Sequence, residues 1–148
     1  MSEYGDKVQA KCDAFADRVV RLNDFLLKQA ANAEPEVRWL KVDGRNKQIT
    51  VKPIPVYLQA VANICNQLLR AGTSIGANNS EATSAISKAD YKAKSYIALK
   101  EARESLYWIK LLYRNNYLEE KQFQSLHDDC EELVKILVAR CKKLDSEG

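Results

Sequence analysis

This sequence predicts an all-α fold: an up-down-up-down antiparallel four-helix bundle, with a short β-hairpin between the first and second helices. Three observations carry that expectation. Apolar residues recur at alternating intervals of three and four along four separate stretches, the spacing that lets one helix face meet another. The links after the second and third stretches are short, which makes successive helices antiparallel neighbours. The 148 residues are 46% apolar and 29% charged with only five Gly and three Pro, a composition unlike a turn-rich β fold or a disordered chain. A chain of this length is one domain, large enough for a core of its own.

The first helix, about residues 6–31, is read from Val8, Cys12, Phe15, Val19, Leu22 and Leu26, with Asp6 as N-cap. The pattern stops before Pro35. Residues 36–53 break the helical period. Val37-Arg38-Trp39-Leu40-Lys41-Val42 and Lys47-Gln48-Ile49-Thr50-Val51-Lys52 flank a Gly turn and read as two strands, with an irregular loop as the alternative. A lone hairpin is marginal in water, so it must pack on the bundle or on a neighbouring subunit.

The second helix, about 55–78, follows Leu58, Val61, Cys65, Leu68, Gly72 and Ile75, with Pro55 in its first turn. Gly72 and Gly76 suit a close helix approach or a helix end. The polar run from Asn78 to Ser84 reads as a loop or a fraying end. Ser87 and Asp90 form a capping-box variant at the start of the third helix, 87–114. Asn115-Asn116 ends it. The fourth helix, about 119–144, carries Phe123, Leu126, Cys130, Leu133 and Leu137, widened by Val134, Ile136, Val138 and Cys141.

Charge is distributed unevenly. Residues 1–36 carry a net −2 and residues 119–148 a net −3, whereas residues 37–55 and 87–118 each carry +4. Such asymmetry concerns partners rather than fold. On a helical projection from Lys88, Lys92 and Lys110 fall near ~40°, Arg103 near ~60°, Arg114 near ~80°, and Tyr96 and Tyr107 at ~80–100°. A basic stripe with interleaved aromatics can follow a phosphate backbone and stack on unpaired bases. The candidate nucleic-acid-binding residues are therefore Lys88, Lys92, Arg103, Lys110 and Arg114, with Arg38, Lys41, Arg45, Lys47 and Lys52 of the hairpin. The competing reading is an ordinary solvated face.

The opposite side of the third helix is read as Ile97, Ala98, Ala102, Trp108, Ile109 and Leu112, with Glu101 and Glu104 projecting into the same sector. Buried carboxylates must be paired, and Arg70 on the polar face of the second helix is the natural partner. A structural ion-pair network is expected rather than a carboxylate metal site or a glycosidase acid pair, because His127 is the only histidine and the two glutamates sit three apart on one helix. His127, next to Asp128-Asp129, reads as a solvated surface side chain. No phosphate-binding loop, nucleophile elbow or metal-ligand spacing occurs, so no catalytic residue, metal or cofactor is expected and the chain reads as a non-enzyme. Cys12, Cys65, Cys130 and Cys141 read as buried free thiols in a reducing cytoplasm, a helix-to-helix bridge being the alternative. The polar start is no signal peptide, and no run approaches a membrane span.

Two blocks carry a resemblance. The first is Leu68-Leu69-Arg70-Ala71-Gly72-Thr73-Ser74-Ile75-Gly76-Ala77-Asn78 with Glu81-Ala82. The second is Ser87-Lys88-Ala89-Asp90-Tyr91, Lys94, Ile97 through Ser105, and Tyr107-Trp108-Ile109. Together they resemble the four-helix-bundle proteins first noticed as reading frames in intervening sequences of bacterial 23S rRNA genes. The resemblance implies a non-enzymatic ring, often a pentamer. It extends to the accessory variability determinant of diversity-generating retroelements, a basic pentamer that binds a reverse transcriptase and its template RNA. Arg70, Asn78, Glu81, Glu101 and Glu104 fall on family positions and are read as a structural polar network. Two departures stand out: Asn79 replaces a usual aliphatic residue, and residues 34–55 exceed the usual first link. The functional expectation is an oligomeric RNA-binding accessory protein serving a reverse transcriptase. A protein-only module, in which acidic and basic faces of neighbouring copies meet, is the alternative.

Overall fold

A computed structural model describes residues 3–31, 36–42, 45–51 and 55–146. Six elements follow in order: α1 (Glu3–Ala31), β1 (Glu36–Val42), β2 (Arg45–Val51), α2 (Pro55–Thr83), α3 (Lys88–Arg114) and α4 (Glu120–Ser146). Each helix packs on the next, and α4 closes the ring against α1. The all-α, up-down-up-down four-helix bundle expected from the 3,4 spacing is the architecture observed.

The seams predicted from spacing are the core. Val8, Cys12, Phe15, Val19 and Leu26 of α1 meet Val61, Cys65, Leu68 and Ile75 of α2. Ala98, Ala102, Ile109 and Leu112 of α3 meet Leu126, Cys130, Leu133, Leu137 and Cys141 of α4. Burying such side chains contributes about 1.5–3 kcal/mol each, which holds helices that would be marginal alone. All four cysteines are free and buried.

Gly72 explains itself by proximity. A Cβ there would lie 3.0 Å from a Val19 methyl and 3.4 Å from the Phe15 ring, so glycine lets α1 press against α2. The helix does not end at this point. It runs on to Thr83, past the boundary expected near residue 78, so the Asn78–Ser84 stretch is helix rather than loop. Its polar side chains are satisfied locally: Asn78 Nδ2 donates to the Ser74 carbonyl at 2.9 Å, and Thr83 Oγ1 to the Ser80 carbonyl at 2.7 Å. Buried Asn79 and Ala82 hold this last part of the helix in the bundle.

Ser87 caps α3 as the capping-box reading requires. Its hydroxyl accepts from the Asp90 amide at 3.1 Å, and the Ile86 amide donates back to Asp90 Oδ2 at 3.2 Å. The chain leaves α3 through Asn116, whose φ of 61° is the left-handed conformation that asparagine tolerates.

The hairpin forms, so the irregular-loop alternative falls. β1 and β2 pair antiparallel from Glu36 opposite Val51 to Val42 opposite Arg45. Among the described residues the backbone of neither strand comes close to a helix. The hairpin joins the end of α1 to the start of α2, so alternation of direction puts it at the bundle end where α3 finishes and α4 begins.

Candidate nucleic-acid interface

α3 buries one side and shows the other to solvent. Its buried residues, Ser95, Ala98, Leu99, Ala102, Ser105, Ile109 and Leu112, define the inner side. Ala98, Ala102, Ile109 and Leu112 lie on it as expected and Trp108 packs partly buried against the core, whereas Ile97 and Glu104 are exposed and Glu101 is half-buried, which corrects their assignment to the apolar face.

The two glutamates accordingly do not form a buried pair with Arg70. Glu104 is exposed and its Oε1 accepts from the Trp108 indole at 3.0 Å. Glu101 is half-buried; burial and then the neighbouring Glu104 push its carboxyl up, while Arg70 draws it back down. Asn78 bonds within its own helix, and Glu81 pairs with Lys94. The expected single polar network is thus several local contacts.

A different polar cluster binds the helices together, and its centre is Asn79. This side chain is 1% exposed. Its Nδ2 donates to Gln9 Oε1 on α1 at 2.7 Å, and its Oδ1 accepts from Arg140 Nη1 on α4 at 2.7 Å. The Arg140 guanidinium also stands 5.9 Å from the Tyr91 ring centre on α3, a cation–π distance. All four helices contribute. The sequence marked Asn79 only as a departure; Gln9 and Arg140 carried no signal, because their meeting depends on how the helices pack.

The cationic stripe divides in two. Arg103, Lys110 and Arg114, on the half of α3 nearer its C-terminus, are exposed and form no ion pair with any described residue. From Arg103 to Arg114 is eleven helical steps, about 16 Å. Tyr107 stands among them, 53% exposed and edge-on to Trp108 at 4.9 Å. Lys100, not singled out from the sequence, is exposed on the same side one turn earlier.

The other half is occupied. Lys92 Nζ lies 2.9 Å from Asp145 Oδ1, and Tyr96 donates its hydroxyl to Asp145 Oδ2 at 2.6 Å. The Lys92 and Tyr96 bonds hold the Asp145 carboxyl below its ordinary range, and the same bond from Tyr96 pushes that phenol up. Lys88 is exposed in the first turn of α3. In the hairpin Arg45 is exposed, while the side chains of Arg38, Lys41 and Lys47, and Lys52 altogether, lie outside the described residues. Arg45 stands opposite Val42 at the turn end of the hairpin, away from the strand ends that join the helices.

His127 is not a solvated side chain as expected. Its ring packs 5.2 Å from Phe123, which stacks on Tyr113 at 4.1 Å, and Nδ1 lies 3.4 Å from Asp128 Oδ1. Among the described residues no three His, Cys, Asp or Glu side chains converge as metal ligands, and no helix is long and apolar enough to cross a membrane.

Fold and surface together define a small antiparallel four-helix bundle with a β-hairpin in its first connection and exposed cations along the second half of α3. Residues 56–139 match the sequence model of the 23S rRNA-intervening sequence protein family, and the chain belongs to that family. Among solved structures, a protein with unknown function from the S23 ribosomal protein family of Bacteroides thetaiotaomicron is 33% identical and superposes with a TM-score of 0.70, covering 93% of this chain and 97% of that one. No curated protein matches the chain.

Proposed function

We propose that this protein is a non-enzymatic, oligomeric accessory protein that binds RNA through the end of α3 and the hairpin. The observation that supports this reading is the contrast between cations on one helix. Lys92 and Lys94 have carboxylate partners, while Arg103, Lys110 and Arg114 around an exposed Tyr107 have none among the described residues. Cations left unpaired within the fold are free to neutralise phosphates, which releases the counterions condensed on a polyanion. The exposed phenol offers a stacking surface for an unpaired base. In a ring, five by the family resemblance, the face would be repeated and its affinity multiplied. A reverse transcriptase of the retroelement type is the protein partner that the same resemblance suggests, and the cytoplasm the compartment.

The test is the triple variant Arg103→Glu, Lys110→Glu and Arg114→Glu. Retention of a labelled single-stranded RNA should be lost at moderate salt with helicity unchanged. Milder replacement by Gln should flatten the plot of log affinity against log salt by about 2, three phosphate contacts on a single strand. Binding that survives both variants removes this face from the argument.

A protein-only module is favoured by one feature of α3. Ile97 is 38% exposed beside half-buried Glu101 and Trp108, a partly desolvated strip that a second copy could cover. Light scattering at low and high salt, on protein free of nucleic acid, separates the readings: a salt-labile ring with no RNA affinity supports the second.

A further inference from the structure

We propose that Asp145 is a built-in competitor for polyanions: its carboxylate occupies the Lys92–Tyr96 half of the α3 face and is displaced when phosphates extend along it. This inference rests on the RNA-binding reading and concerns how that same face is regulated.

The geometry is that of a substitute ligand. Lys92, Tyr96, Arg103, Tyr107, Lys110 and Arg114 fall within one sector of α3, so a strand lying over the open half continues toward Lys92. There the two oxygens of Asp145 take the two donors, Lys92 Nζ at 2.9 Å and the Tyr96 hydroxyl at 2.6 Å. Two phosphate oxygens would engage the same pair. The Lys92 side chain is 41% exposed and that of Asp145 48%, so an incoming strand can reach both from solvent.

The clasp is also weakly founded. Asp145 sits in the last turn of α4, where the helix carries its negative end, so its charge is disfavoured by its own helix and held by contacts on α3. An exposed pair of this kind is worth at most about five-fold in an equilibrium. A polyanion bound through the three open cations exceeds that readily, while a single small anion does not. The clasp therefore filters for ligands long enough to bind both halves.

The experiment measures anisotropy of a fluorescein-labelled 20-mer oligouridylate over a series of salt concentrations. Asp145→Asn should bind about three- to five-fold tighter than the parent, with a salt slope steeper by about 0.7, one additional phosphate on a single strand. Adding Lys92→Gln to it should return the slope to the parent value. Glu132→Gln removes another α4 carboxylate, one bound to Lys11 at 2.9 Å away from this face, and should leave the slope unchanged. Independently of RNA, Asp145→Asn should bring Tyr96 ionisation down toward the ordinary tyrosine range in an ultraviolet titration.

Parent affinity and slope in Asp145→Asn, with the Arg103/Lys110/Arg114 variant still defective, overturn the clasp and leave the RNA reading standing. An unmoved tyrosine titration likewise overturns it. Absence of salt-dependent binding in both parent and Asp145→Asn defeats the RNA reading and the clasp together.

Discussion

Replacing Asn79 by Ala should be among the most damaging single polar changes in the bundle. The wild-type side chain is 1% exposed and bridges Gln9 and Arg140, with both contacts at 2.7 Å. The bond from the guanidinium is charge-assisted and contributes about 1.5–3 kcal/mol; the amide–amide bond contributes about 1. Alanine removes both and leaves Gln9 Oε1 without that donor. Arg140 can turn toward solvent over Tyr91, so its charge is not stranded and the cost stays below that of a broken buried ion pair. The expected loss is about 3 kcal/mol, or a Tm lower by roughly 6–12 °C for a chain of this size. Asn79→Leu should recover about 1.5–3 kcal/mol through apolar burial and lie close to wild type. The assay is guanidinium unfolding followed by circular dichroism at 222 nm, at fixed protein concentration because any assembly contributes to apparent stability. A double-mutant cycle with Arg140→Ala should give a coupling of about 1–2 kcal/mol. An Asn79→Ala loss under about 0.5 kcal/mol, or a coupling near zero, would refute the assignment of this cluster as a four-helix tie.

The two glycines of α2 should respond in opposite directions. Gly72→Ala places a Cβ 3.0 Å from Val19 and should destabilise by about 1 kcal/mol. Gly76→Ala meets nothing nearer than 3.4 Å and should gain about 0.5–1 kcal/mol of helix propensity; unfolding curves showing the reverse order would contradict the packing described. The buried thiols give a pH signature. Burial raises Cys12 and Cys65 from 9.0 to about 11 and Cys130 to about 12, and raises Cys141 as well. A thiol raised in the folded state contributes stability that is complete below the ordinary value and is lost as pH climbs through the folded one. Thermal stability should therefore fall between about pH 9 and 12, and a thiol reagent at pH 8 should titrate none of the four cysteines until denaturant is added.

Legibility from sequence followed the range of the interactions concerned. Val8, Cys12, Phe15, Val19 and Leu26 announced their burial because helical periodicity is a local property that any packing partner must respect. The α2 terminus was misplaced for the opposite reason: Asn78, Asn79 and Thr83 look like loop residues until their partners are known. Arg103, Lys110 and Arg114 share a face by helix geometry alone, whereas the neutralisation of Lys92 requires Asp145, 53 positions away in sequence.

The amino-acid order by itself determined four amphipathic helices, their sequential antiparallel packing, the capped start of α3 and a β-hairpin in the first connection. These follow from short-range periodicity, capping and turn chemistry. Only the tertiary structure decided which cations stay open to a partner, that Asn79 joins Gln9 and Arg140, and that Glu101 and Glu104 lie outside the core. Each of those depends on the rotation of one helix against another, which is set by how closely small residues such as Gly72 and Ala98 let the backbones approach.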